Sequence, residues 1–376
     1  MKEPSLTLGV EEEYQIIDPR TGELSSYITH LLDADGQVTV EGVKPELHQS
    51  VVEVGSGVCE TPAQIRDEIL RLRGAMATLA ARDGLRILAA GTHPFSSWVD
   101  QRITPLERYL GVEEDLQDLA RKNLIFGMHV HVGIEDREFL IDAMKVARYF
   151  LPHILALSTS SPFWEGRNTG LKSYRSVQWR NFPRTGIPPT FTSYAEYERI
   201  VRSLISANAI QGPSKIWWDL RPHHLYPTLE FRVCDICTRV DEAVCIAAII
   251  QALVAKLWKL RRDNLTFRVY PLSLIDENKW RAVRYGVSGK LLDLGRETER
   301  PARELIEELV GWFLDDVLDD LGSRKEVEYA FTILERGTSA DRQLATFAET
   351  GDLHAVVRQL IEETAEGTGN GVAHAG

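Results

Sequence analysis

Cysteine is scarce in this chain. The 376 residues include Cys59, Cys234, Cys237 and Cys245 and no others, too few to build a disulfide framework at this length. Long apolar runs are also missing. None approaches the ~20 residues of a membrane-crossing helix, and the longest candidate, 243–258, is interrupted by Gln251 and Lys256. No apolar segment follows Met1-Lys2-Glu3-Pro4, so no signal peptide is expected, and a soluble cytoplasmic protein without a membrane partner follows. A basic excess is absent as well. The formal net charge is -12, which argues against non-specific nucleic-acid binding but leaves room for a local basic cluster that holds phosphate. There is no internal repeat. With 44% hydrophobic and 26% charged residues, the composition is that of an ordinary globular protein with a substantial core.

What the chain does have is carboxylates set in apolar strands. Glu11-Glu12-Glu13 interrupt Leu6-Thr7-Leu8-Gly9-Val10 and Tyr14-Gln15-Ile16-Ile17. On a strand, Glu11 and Glu13 share one face and Glu12 takes the other. Two carboxylates roughly 7 Å apart on a core face repel each other, and a hard divalent cation relieves that repulsion. A second strand, 49–54, puts Gln49, Val51 and Glu53 on one face. A third, Gly127-Met128-His129-Val130-His131-Val132-Gly133, repeats the pattern with two imidazoles, and in Thr228-Leu229-Glu230-Phe231-Arg232-Val233-Cys234 the residues Glu230, Arg232 and Cys234 fall on one face.

Between these strands the periodicity predicts helices. Thr61-Pro62 starts one with Ile65, Ile69, Leu72, Met76 and Leu79 at helical spacing until Gly84. A charged helix is predicted over 105–123, others over 136–149 and 151–158, and one from Ser193 to about 209. Asp241 opens a long apolar helix to 262, and further helices follow over 272–285, 302–321 and 352–363. From 163 to 191 periodicity vanishes, and Arg167, Lys172, Arg175, Arg180 and Arg184 face a single acid, Glu165. So long a loop, rich in aromatics, reads as functional. Strands concentrate in the first 235 residues and the rest reads as helical. The fold class is therefore α+β, an antiparallel sheet with one face lined by carboxylates and helices packed on the other. Residues 1–365 read as one catalytic domain and 366–376 as a disordered tail.

Carboxylates together with imidazole suit Mg²⁺ or Mn²⁺. With an arginine-rich loop they provide what a metal-bound nucleotide triphosphate requires. The motifs Gly9-Val10-Glu11-Glu12-Glu13, Glu53-Val54-Gly55-Ser56, the 127–133 strand, Thr228 to Asp235 and the 276–286 segment together resemble the glutamate–cysteine ligase type 2 family. These are carboxylate–amine ligases whose fold is related to glutamine synthetase and the guanido kinases. The resemblance implies an ATP-dependent amide-forming enzyme that passes through an acyl phosphate, with Mg²⁺ or Mn²⁺ and small-molecule acid and amine substrates, nominally glutamate and cysteine, and family analogy suggests a homo-oligomer. By the same resemblance Glu11, Glu13, Glu46, Glu53, His129 and Glu230 are metal ligands. Arg232, with Glu53 at the reacting centre, faces the transferring phosphoryl group.

Other residues keep two readings. Glu12 reads as a surface or supporting group, and His131 as a ligand or a satisfied core histidine. His93, His223 and His224 read as structural or solvent-facing. Cys234-Asp235-Ile236-Cys237 lacks the second pair of a zinc site. In the loop, Arg175, Arg180 and Arg184 are favoured for phosphate. Asn278, Arg281 and Arg284 share a helix face that suits a nucleotide or plain solvent. The rival functions are a ligase of the same mechanism with a different acid or amine, a metal-dependent hydrolase, and a non-catalytic sensor.

Overall fold

A computed structural model describes residues 2–31 and 42–369. Its centre is a seven-stranded sheet. In chain order the strands are β1 (Leu8–Ile17), β2 (Val43–Pro45), β3 (Val51–Gly55), β4 (Arg86–Leu88), β5 (Gly127–Gly133), β6 (Leu220–Pro222) and β7 (Thr228–Asp235). The spatial order is β6-β7-β5-β1-β3-β2, with β4 pairing to the end of β1, and every pairing is antiparallel.

The helices are α1 (Pro62–Arg82), α2 (Glu107–Leu116), α3 (Asp118–Arg121), α4 (Arg137–Ala147), α5 (Leu151–Ser158), α6 (Tyr174–Arg180), α7 (Tyr194–Ser206), α8 (Val240–Arg262) and α9 (Leu272–Tyr285). A hairpin of β8 (Lys290–Asp293) and β9 (Thr298–Pro301) follows. After it come α10 (Ala302–Glu308), α11 (Asp315–Leu321), α12 (Arg324–Arg336), α13 (Ser339–Thr350) and α14 (Leu353–Ala365). Side-chain caps start several helices: Thr61 accepts from the Gln64 N–H, Asp136 from Phe139, and Ser193 from Glu196.

The two faces of the sheet differ as period-two alternation requires. Val10, Met128, Val130, Val132, Phe231 and Val233 pack with α5 and α8 in the main apolar cluster, while the ionisable side chains line the opposite face. Helix α8 is long and apolar enough to cross a membrane by composition alone. In this fold it is the central core helix, with every residue from Ala243 to Ala255 buried, among them Gln251, which donates to the Leu6 and Glu60 carbonyls.

Several sequence expectations need correction. Glu12 is neither a surface group nor a loose support. It is 1% exposed, and its carboxylate is forked by the Arg73 guanidinium at 2.5 and 3.1 Å and accepts from the Tyr14 hydroxyl. The helix placed over 105–123 breaks at Gln117 (φ 50°) into α2 and α3. That placed over 302–321 is divided by a wide turn, Leu309–Phe313. The C-terminal part is not purely helical, because β8 and β9 form a hairpin there. The aperiodic stretch 163–191 holds the seven-residue α6, too short to show periodicity, and two short ladders. Cys234 does not share a face with Glu230 and Arg232. Between Phe231 and Cys234 the register slips by one residue, a β-bulge that turns Cys234 into the apolar core. Of the tail placed at 366–376, residues 370–376 lie outside the described residues and 366–369 form turns after α14.

Candidate active site

Strand register builds the site. β1 lies between β3 and β5, and the pairings Glu11↔His129, Glu13↔Glu53, Glu230↔His131, Arg221↔Glu230 and Lys44↔Glu53 set ionisable groups side by side across six strands. Directly opposed residues have Cβ atoms about 5 Å apart, so side chains far apart in sequence converge.

Among the described residues two groups of three emerge, each with ligand atoms within 4.8 Å of one another: Glu11, His131 and Glu230, and Glu13, Glu46 and Glu53. His131 Nε2 is buried without a hydrogen-bond partner and lies 3.6 Å from Glu11 Oε2, while its Nδ1 lies 3.2 Å from the Thr228 hydroxyl. His129, the imidazole picked out by the motif, stands beside this triad, 3.4 Å from Glu11 Oε2 and 3.5 Å from Arg232 Nη1. Glu46, which sequence placed only by its distance from Glu53, joins the second triad and accepts from the Leu47 N–H at 2.7 Å.

The charges in the two triads behave differently. Burial opposes ionisation of Glu230, but Arg232 and Arg221 more than offset it and hold the carboxylate well below its ordinary range. Arg221 forks Glu230 at 2.7 and 3.2 Å, and Arg232 bonds the same carboxylate. Burial is likewise outweighed at Glu11, where the adjacent imidazoles of His129 and His131 lower the pKa. Burial and the Arg232 charge push His129 down to about 4, so the ring is neutral and free to accept or ligate. In the other triad burial wins. Glu13 and Glu46 are pushed up to about 7, and Glu53, with Glu11 and Glu46 beside it, to about 8. Three crowded carboxylates that cannot all ionise are what a divalent cation would neutralise, and carboxylate oxygens with one imidazole fit Mg²⁺ or Mn²⁺.

Above the second triad is a cavity of about 30 Å³, lined by Glu13, Glu46, His129, Arg175, Trp179 and Arg232 among others. Asn123 Oδ1, Trp179 Nε1, Arg175 Nε and Arg232 Nε are buried here with no hydrogen-bond partner, a polar lining that a bound group would satisfy. Arg175 reaches the cavity because residue 127 is glycine: a Cβ there would lie 2.3 Å from Arg175 Nη2. The base of α6 is fixed by Asp235, fully buried, which accepts from the Ser160 N–H and from the hydroxyls of Ser161 and Ser173 at 2.7–2.9 Å.

Arg175 is thus the one favoured loop arginine that lines this cavity. Arg180 pairs with Asp276, and Arg184 donates to the Lys215 carbonyl and lies over Trp217. Asn278 spends both ends of its amide on the Leu292 backbone, Arg281 pairs with Glu277 and Glu299, and Arg284 donates to the Gly170 carbonyl. None of these five is among the residues that line the cavity. His93 is structural, bonded to the Gly22 carbonyl and the Phe95 and Ser96 N–H groups. Sequence reasoning passed over Lys44 and Arg221. Each was signalled only by a charged residue inside an apolar strand segment.

Residues 7–359 match the family model described as Glutamate-cysteine ligase family 2 (GCS2). A protein of Herpetosiphon aurantiacus, provisionally named glutamate–cysteine ligase 2, is 60% identical over 96% of this chain and 94% of its own length. Among solved structures, a glutamate–cysteine ligase of Francisella tularensis in complex with AMP superposes with a TM-score of 0.69 at 12% identity, covering 97% of this chain and 90% of that one. A bifunctional glutathione synthetase of Pasteurella multocida gives 0.71 at 14% identity over 96% of this chain, which spans 52% of that longer protein. At such identities the structural likeness shows the shared fold, whereas the family match and the close relative settle the affiliation. The chain belongs to glutamate–cysteine ligase family 2.

Proposed function

We propose that the protein is an ATP-dependent carboxylate–amine ligase, nominally joining the γ-carboxylate of glutamate to the amine of cysteine. The observation that carries this reading is the convergence of two carboxylate triads with Arg232 and Arg175 on one sheet face. In the reaction a carboxylate oxygen of the acid attacks the γ-phosphorus of ATP, the bond to the β–γ bridging oxygen breaks, and ADP leaves. The amine then attacks the acyl carbon of the resulting acyl phosphate, loses a proton and expels phosphate. No enzyme nucleophile is needed, so the protein contributes position and charge.

Divalent cations held by Glu11, His131 and Glu230 and by Glu13, Glu46 and Glu53 would supply positive charge to the phosphate oxygens. Arg232, oriented by Glu230, presents its guanidinium to the transferring group. Arg175 offers a second fork from the other wall. The unpartnered Asn123 and Trp179 atoms give the chamber one acceptor and one donor for a polar substrate group.

The test is ADP release by purified protein with ATP and Mg²⁺ while acids and amines are varied. Release that needs both an acid and an amine is the expected result. Release with water alone would make it a hydrolase, and nucleotide binding without turnover would make it a sensor.

A further inference from the structure

Lys44 enters none of the chemistry above, yet it touches both triads. It lies on β2, directly opposite Glu53 on β3. Its Nζ is 3.0 Å from Glu53 Oε1 and 3.2 Å from Glu11 Oε1. Glu11 sits on β1, beyond β3, so the lysine has to cross a strand to reach it. The crossing passes Gly55, which pairs with Glu11; the Cβ that glycine lacks would stand 3.9 Å from Lys44 Nζ and from Glu11 Cγ.

Glu11 is consequently divided. Its Oε2 faces His129 and His131 inside the first triad, while its Oε1 faces Lys44. One oxygen from each triad therefore meets at a single ammonium. Two carboxylate oxygens beside open water are what Mg²⁺ or Mn²⁺ commonly accepts as its protein share, with waters completing the shell. The gap between Glu11 and Glu53 would be such a place if the lysine were absent.

We propose that Lys44 is a tethered cation that joins the two triads, occupying the position between Glu11 and Glu53 that a third divalent ion would otherwise take and so fixing the number of divalent ions at two. The role is that of a positioning residue acting through Glu11 and Glu53, and it rests on the reading of the triads as cation sites. A solvated surface ion pair, which is worth little, would link one acid to one base. Lys44 instead bridges acids from two different triads across an intervening strand.

The experiment is a Mn²⁺ titration without nucleotide, counting bound ions per chain by electron paramagnetic resonance, on wild type, Lys44→Arg, Lys44→Met and Lys44→Gln. Melting curves establish that each variant is folded. Lys44 is on an edge strand and its side chain is half-exposed, so substitution should be tolerated, and the Gln variant stands in if Met misfolds. Wild type and Lys44→Arg should bind two ions, and Lys44→Met or Lys44→Gln three. Two ions in wild type and still two in both neutral variants would overturn the role of Lys44 alone. A wild type that binds none would overturn the cation reading of the triads, and this proposal with it.

Discussion

Glu12 and Glu13 are chain neighbours with opposite surroundings. Glu13 faces Glu46, Glu53 and Arg175, whereas Glu12 is buried under α1 against Arg73 and Tyr14. Glu13→Gln, like Glu11→Gln, is therefore expected to lower ADP formation by at least ~100-fold, the order of loss for removing a positioned charge at a reacting centre, with the fold intact. Glu12→Gln should show the reverse. It leaves a buried guanidinium short of its counter-charge, costing about 3 kcal/mol in urea unfolding, with kcat near wild type. Equal effects of Glu12→Gln and Glu13→Gln on turnover would contradict this division. Period-two alternation revealed that the two side chains part. It could not reveal what Glu12 meets, because Arg73 lies 61 residues away and nothing local marks the pair. Gly127 is legible only in the fold, where Arg175 occupies the space a Cβ would need. Gly127→Ala should displace that guanidinium and reduce kcat/KM for ATP by roughly 10- to 100-fold, as expected for a misplacement on the ångström scale.

At the scale of elements, the long and strongly patterned ones were readable. β1, β5, β7, α1, α8 and α9 fall where alternation, helical spacing and capping residues place them. Elements that depend on contacts from elsewhere were not. α6 is a two-turn helix held by Ser173 at its cap and by Asp235 from β7. The bulge in β7 shows only in its pairing with β5. Helix α9 illustrates how a correct element can mislead about its residues. Asn278 does lie on one face with Arg281, yet its amide closes the loop onto β8 through the Leu292 N–H and C=O. Asn278→Ala should cost about 1–3 kcal/mol of stability, the penalty for leaving those buried backbone groups unpaired, with the KM for ATP unchanged. Arg175→Ala, by contrast, should raise that KM or lower kcat with little change in stability. A swap of these two phenotypes would return Asn278 to the nucleotide site.

Across the whole molecule, acid is spread over an antiparallel sheet so that several strands deliver one charge each to a common face. The cost appears in the dependence of stability on pH. Glu13 and Glu46 titrate near 7 and Glu53 near 8 in the fold, against 4.5 when unfolded. Over that interval the folded state binds more protons, so stability falls as pH rises. Buried histidines oppose this at lower pH. His48, His93, His129, His153 and the half-buried His223 are pushed from 6.5 down to about 3–4, so the unfolded state binds more protons and their contribution to stability rises with pH until about 7.5. Glu11 and Glu230, held low, are already ionised throughout. Between about pH 7.5 and 8.5 the histidines are neutral in both states and the raised carboxylates set the slope. The Tm of the metal-free protein should fall across that window, and saturating Mn²⁺ should flatten the fall and stabilise more at the higher pH. A metal-free Tm that climbs from about pH 7.5 to 8.5 would contradict the crowding inferred for the second triad.

The claim on which the account turns is that this face assembles ATP and a carboxylic acid so that the acid's oxygen attacks phosphorus. Oxygen tracing tests it most directly: turnover of ATP, cysteine and glutamate labelled with ¹⁸O in its γ-carboxylate, followed by mass analysis of the phosphate released. Passage through an acyl phosphate predicts one labelled oxygen in each phosphate. Phosphate released without label, while ADP accumulates, would contradict it.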